Sequence, residues 1–222
     1  MKDNLLHLCF VIDESGSMWD SKSDVLGGFK RLIEEQKAVT SGECIISLYR
    51  FKNEVHKDFI GKPLNEIKDL EYCPGGCTAL VDGIGQAIFE IGEWLNNMDE
   101  SERPSKNMIV IMTDGQENAS KEYTFSQIRG MIKHQEEKYN WSFVYMGSDL
   151  NSLADANSLG IKLRSISPKY NITKNYSKIS DYASAYRCAA STLDINNAVR
   201  KLSSELSNDT AKYAADNNLS LQ

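Results

Sequence analysis

The chain has 222 residues, 41% of them hydrophobic and 25% charged, which suits one α/β domain able to bury a single core. With 25 basic against 31 acidic residues the formal net charge is -6, which argues against nucleic-acid binding through a broad basic face. No apolar run approaches the ~20 residues of a membrane-spanning helix, and Met1 to Leu8 lacks the charged, apolar and small-residue order of a signal peptide, so the expectation is a cytoplasmic protein that binds no membrane.

In chain order, Leu5 to Ile12 (LLHLCFVI) reads as a strand buried on both faces, ending at Asp13. Val25, Leu26, Phe29, Leu32 and Ile33 then recur at helical spacing over Val25 to Lys37, with Ser23 and Asp24 as candidate caps. Cys44 to Phe51 is a second strand. Glu54 to Ile60 is a third, at an edge and antiparallel, because only a short turn near Lys52-Asn53 separates the two. Pro74-Gly75-Gly76 breaks the chain before a helix over Ala79 to Met98. A strand over Asn107 to Met112, a helix over Phe125 to Tyr139 and a strand over Trp141 to Met146 follow. A short helix over Leu150 to Leu159, a strand over Ile161 to Ile166 and a long helix over Asp181 to Leu206 complete the pattern. The expected architecture is a three-layer αβα, doubly wound, mostly parallel sheet with one antiparallel edge strand. It forms a single domain over residues 1–206, with a polar, frayed tail over residues 207–222.

In such sheets ligands sit beyond the carboxyl ends of strands, where the strand order reverses. Three small polar clusters lie at or near such ends: Asp13-Glu14-Ser15-Gly16-Ser17, Gly75-Gly76-Cys77-Thr78 and Thr113-Asp114-Gly115. Asp13, Ser15 and Ser17 alternate, so their oxygens can point the same way in an extended loop. Hydroxyls and carboxylates are hard donors, suited to Mg²⁺ or Mn²⁺ rather than a soft metal. Thr78 adds a hydroxyl and Asp114 a second carboxylate. Glu14 and Glu117 read as rim charges. Met18 and Trp19 are either contact residues or a cover over the core.

Asp13-x-Ser15-x-Ser17 with the later Thr78 and Asp114 resembles the metal-ion-dependent adhesion site of von Willebrand factor A (VWA) domains, and FVIDESGSM, GGCTALVDGI and IVIMTDGQEN resemble the words around it. The likeness covers about residues 5–166 and points to the intracellular prokaryotic or phage branch that stands alone. It implies that Ser15, Ser17 and Thr78 touch the metal and that Asp13 and Asp114 hold it largely through water. It also implies a protein partner whose Asp or Glu completes the coordination.

Two other functions compete. In a structural or assembly protein the metal would only pin loops. A metal-dependent phosphohydrolase using Asp13 would need a second Asp at position 15, where Ser15 stands; no Gly-x-Ser-x-Gly elbow or P-loop lysine motif appears either, so the expectation is that the protein is not an enzyme. The five cysteines include Cys9 and Cys44 inside apolar runs, which suggests reduced thiols. Cys73 and Cys77 form a C-x3-C with no second ligand pair for zinc, leaving a disulfide between them as a minor alternative. Tyr170, Tyr176, Tyr182 and Tyr186 read chiefly as packing residues.

Overall fold

A computed structural model of the chain describes residues 1–148, 150–166 and 172–217. The strands are β1 (Lys2–Asp13), β2 (Glu43–Phe51), β3 (Val55–Pro63), β4 (Pro104–Met112), β5 (Ser142–Gly147) and β6 (Leu163–Ile166). The helices are α1 (Lys22–Ala38), α2 (Leu80–Asn96), α3 (Phe125–Tyr139), α4 (Leu150–Leu159), α5 (Ile172–Arg187) and α6 (Thr192–Asp216). Among the described residues the sheet has six strands in the order β3-β2-β1-β4-β5-β6. All pairs are parallel except β2 with the edge strand β3. The chain leaves β1 toward β2 on one side and returns to its other side as β4, so the strand order reverses between β1 and β4. That is where an open α/β sheet has its ligand crevice.

Alternation along β1 divides the core. Leu6, Leu8, Phe10 and Ile12 face a cluster built with α1, α5 and α6, while Cys9 and Val11 face one built with α2, α3 and α4. On the first face Phe10, Phe29 and Tyr176 meet with ring centroids 5.6, 5.9 and 6.3 Å apart. Gly28 makes room for them, since a methyl there would overlap the Tyr176 ring. Tyr176, Tyr182 and Tyr186 are all buried, as packing residues would be; Tyr170 lies outside the described residues.

The structure corrects the sequence reading at the helix ends. Ser23 and Asp24 are not caps, because a 3-10 turn over Gly16–Ser21 runs straight into α1 and puts both inside the helix. The long C-terminal helix is two helices: α5 stops at Arg187, and Ser191 accepts the Asp194 N–H to start α6. The expected frayed tail is helical as far as Asp216, and Ala214 within it is buried. Among the described residues no helix is long and apolar enough to cross a membrane.

One polar line crosses the sheet. His7 Nδ1 lies 2.9 Å from Asn107 Oδ1 and its Nε2 lies 2.7 Å from Ser47 Oγ, which also accepts the Gly61 N–H. Burial pushes the His7 imidazole down to about 4 from 6.5, against the smaller opposing effect of the Asn107 hydrogen bond. The unfolded chain therefore takes up a proton near pH 6.5 that the fold refuses until about pH 4. Stability from this group is complete above pH 6.5 and is lost as pH falls toward 4, by about 3 kcal/mol in all. Denaturation of the wild type across that window should show the loss, and His7→Gln should flatten it; an equal slope in both proteins would assign the loss elsewhere.

Candidate functional site

Each expected site residue leaves the carboxyl end of the sheet or the loop beside it. Asp13 is the last residue of β1 and is fully buried. Its carboxylate accepts two hydrogen bonds: Oδ1 accepts the Ser15 N–H at 2.7 Å and Oδ2 accepts the Thr113 hydroxyl at 2.6 Å. The Tyr72 hydroxyl donates to the Asp13 carbonyl. Burial pushes the Asp13 carboxyl up to about 6, opposed by the Ser15 and Thr113 hydrogen bonds and reinforced by the nearby Asp114 charge. Ser15 and Ser17 share a hydrogen bond of 3.0 Å between their hydroxyls, and the Ser17 hydroxyl donates to Asp114 Oδ1 at 2.5 Å. Ser15, Thr78 and Asp114 are buried and Ser17 is exposed, so the cluster opens to solvent on the Ser17 side.

Gly115 gives the geometry a single focus. A methyl placed on its Cα would lie 3.1 Å from Thr78 Oγ1, 3.2 Å from Ser17 Oγ and 3.4 Å from Asp13 Oδ2. Oxygens from two loops thus face the small space beside a residue of a third loop that has no side chain. With Ser15 bonded to Ser17 and Asp114 bonded to Ser17, all five expected residues come together. The donor set is hydroxyl and carboxylate oxygen, the chemistry that a hard dication requires, so the residues present fit such an ion. Among the described residues no group of three His, Cys, Asp or Glu side chains is placed to hold a metal, and Cys73 and Cys77 are free and exposed.

The loops are braced by their own hydrogen bonds. Gly75 N–H donates to the Glu14 carbonyl at 2.9 Å and Gly16 N–H to the Gly76 carbonyl at 3.1 Å. Cys77 N–H donates to Asn53 Oδ1, a contact that excludes a side chain at Gly76, whose φ is 78°. Thr78 donates its N–H to Asn118 Oδ1, and the Thr78 carbonyl accepts the Asn118 and Ala119 N–H groups. Asp82 accepts the N–H groups of Lys121, Glu122 and Tyr123, fastening the loop after β4 to α2.

Glu14 and Glu117 are not rim charges. Glu14 points away from Asp13 and Ser15, as alternation along the chain requires, and is buried. It takes Arg50 at 2.6 Å, Lys52 at 3.1 Å and the Cys73 N–H at 2.7 Å. Burial alone would raise its carboxyl, but the Cys73, Arg50 and Lys52 interactions outweigh it and hold the group below the ordinary carboxylate range. Glu117 accepts the N–H groups of Val81, Ala119 and Ser120, capping α2 from a neighbouring loop because Ala79 has no side chain to do so. Met18 is buried over the core, whereas Trp19 beside it is 65% exposed. Sequence reasoning assigned no role to Tyr72 and gave Asn53 only a turn, because their bonds to the loops span long separations and leave no local pattern, and it placed Thr113 in a cluster without its bond to Asp13.

A mostly parallel αβα sheet whose strand order reverses between β1 and β4 is a VWA-like fold. No protein-family model and no curated protein matches the chain. Solved structures share its fold. The vWF domain of the type V pili tip protein Mfa5 from Porphyromonas gingivalis is 12% identical with a TM-score of 0.59, over 84% of this chain and 97% of that one. Proximal thread matrix protein 1 from the mussel byssus, with a zinc-occupied MIDAS motif, is 16% identical with a TM-score of 0.56, over 83% and 47%. The ArnB paralog VWA2 from Sulfolobus acidocaldarius is 18% identical with a TM-score of 0.51, over 78% and 44%. The chain spans about half the length of the last two.

Proposed function

We propose that this domain binds one divalent cation, Mg²⁺ or Mn²⁺, and uses it to grip an Asp or Glu of a protein partner. The observation that carries the reading is the convergence of Thr78, Ser17 and Asp13 oxygens on the space beside Gly115. Ser15, Ser17 and Thr78 would hold the ion through neutral hydroxyls, with Asp13 and Asp114 acting largely through water. A dication held this way supplies a Lewis-acidic position for a hard anionic oxygen. Two carboxylates against a dication leave no net charge at the site, whereas the whole chain at -6 repels acidic surfaces, so capture of a carboxylate should depend on the ion. The zinc-occupied motif in the mussel protein supports the divalent class, and the hard donors here favour Mg²⁺ or Mn²⁺.

Binding, rather than loop pinning or turnover, is the task we assign. The hydrogen bonds that tie the three loops together support binding over loop pinning. Calorimetric titration with Mn²⁺ should give one site in the wild type and none in the Ser15→Ala, Ser17→Ala double variant. Equal affinity in the two proteins would remove these hydroxyls from the site and the proposal with them.

A further inference from the structure

The loop that carries Thr78 also carries two thiols that the cation site does not use. Cys73 and Cys77 are both exposed and free, whereas Cys9 and Cys44 are buried and shielded from solutes. Between the two exposed thiols, Pro74 is buried and Gly75 and Gly76 turn the chain, Gly76 in the left-handed region at φ 78°. Nothing lies within 4 Å of a methyl placed on Gly75, so this turn has space to change shape.

The two ends of the turn are held unequally. The Cys73 N–H is bound to Glu14, which Arg50 and Lys52 lock in place, and the Lys52 ammonium also reaches the Cys73 carbonyl at 3.4 Å. Cys77 is held by one bond of its N–H to Asn53, on the exposed β2–β3 turn. A disulfide demands Cα atoms roughly 4.4–6.8 Å apart and a fixed dihedral. Any movement that meets this geometry across Pro-Gly-Gly falls on the weaker end, Cys77. Cys77 is joined directly to Thr78, whose hydroxyl oxygen is one wall of the cradle at Gly115. The same loop bonds the Asp13–Ser17 segment through the Gly16 N–H to the Gly76 carbonyl.

We infer that Cys73 and Cys77 form a reversible disulfide with hydrogen peroxide as oxidant, and that its closure displaces Thr78 and weakens cation binding; the second half rests on the cation-site reading above. Peroxide converts one thiol to a sulfenic acid and releases one water. The second sulfur displaces the hydroxyl, which leaves with that thiol's proton as another water. Two thiols and one peroxide thus give one disulfide and two waters, with two electrons passing from sulfur to peroxide oxygen.

The test uses the full chain, reduced or treated with stoichiometric peroxide. The expected product is lighter by two hydrogens, joins Cys73 to Cys77 in peptide maps, and binds Mn²⁺ about tenfold or more weakly, the scale of disturbing a ligand's support. Dithiothreitol should restore the affinity, and Cys73→Ser should hold its affinity through the same treatment. Amide exchange in the metal-free protein gives a second reading, since the Gly16 and Cys77 N–H groups should lose protection on oxidation. If the reduced protein binds no Mn²⁺, the cation-site reading falls, and the exchange rates alone decide whether the disulfide moves the loop. Absence of the Cys73–Cys77 link under peroxide, or a link that alters neither affinity nor exchange, overturns the inference.

Discussion

Gly115→Ala should abolish cation binding while leaving the fold intact. The added methyl would lie 3.1–3.4 Å from Thr78 Oγ1, Ser17 Oγ and Asp13 Oδ2, inside the space the oxygens surround. An ion cannot share that space with a carbon, so the expected loss is about a hundredfold or more, at or beyond the upper end of what disturbing a ligand's support costs. The Gly115 backbone is not in the left-handed region, so alanine brings no backbone strain. Overpacking costs about 1–3 kcal/mol, partly offset by the smaller entropy of the unfolded chain. Titration calorimetry and thermal denaturation separate the two effects. Wild-type affinity in this variant would place the ion, if any, elsewhere.

The second large effect falls on stability. Glu14→Ala removes the centre of an ion-pair group in which Glu14 and Arg50 side chains are 3% and 11% exposed. Asp58 still pairs with Arg50 through both its oxygens at 2.7 Å, so the guanidinium is not left alone. The Cys73 N–H does lose its acceptor. Removing one member of a buried pair costs about 3–5 kcal/mol, and the surviving Asp58 contact sets the expectation at the lower end, about 3 kcal/mol in chemical denaturation. Because the Glu14 carboxyl is held below its usual value of 4.5, its contribution is present above that pH and is lost as pH falls through the lowered value. Glu14→Gln should recover part of the loss by accepting the Cys73 N–H. A variant as stable as the wild type would show that Glu14 is a surface charge after all.

The strands were legible because both faces of this sheet are covered, so Leu8 to Ile12 and Met108 to Met112 had to be continuously apolar, and their paired backbone extends beyond the apolar run to Lys2 and Pro104. The convergence of the candidate residues was legible because Asp13 and Asp114 each end or follow such a run, at the carboxyl edge of the sheet. The α5–α6 break was missed because residues 188–191 contain neither Gly nor Pro. The available signal was Ser191 three residues before Asp194, a capping pattern whose bond the structure shows. Glu14 was misjudged for a different reason. Its neighbours Asp13 and Ser15 face the cradle, and alternation sends Glu14 toward Arg50, a partner 36 residues away that no local window connects to it. Cross-loop ties such as Asn53 to Cys77 and Asn118 to Thr78 belong to the same class.

The most direct test of the cation site is titration of isotope-labelled protein with paramagnetic Mn²⁺, read amide by amide. The account predicts that the signals of Ser15, Ser17, Thr78 and Gly115 broaden first and together, and that Gly42, at the opposite end of the sheet, keeps its signal. Broadening centred on other residues, or none at those four, would contradict it.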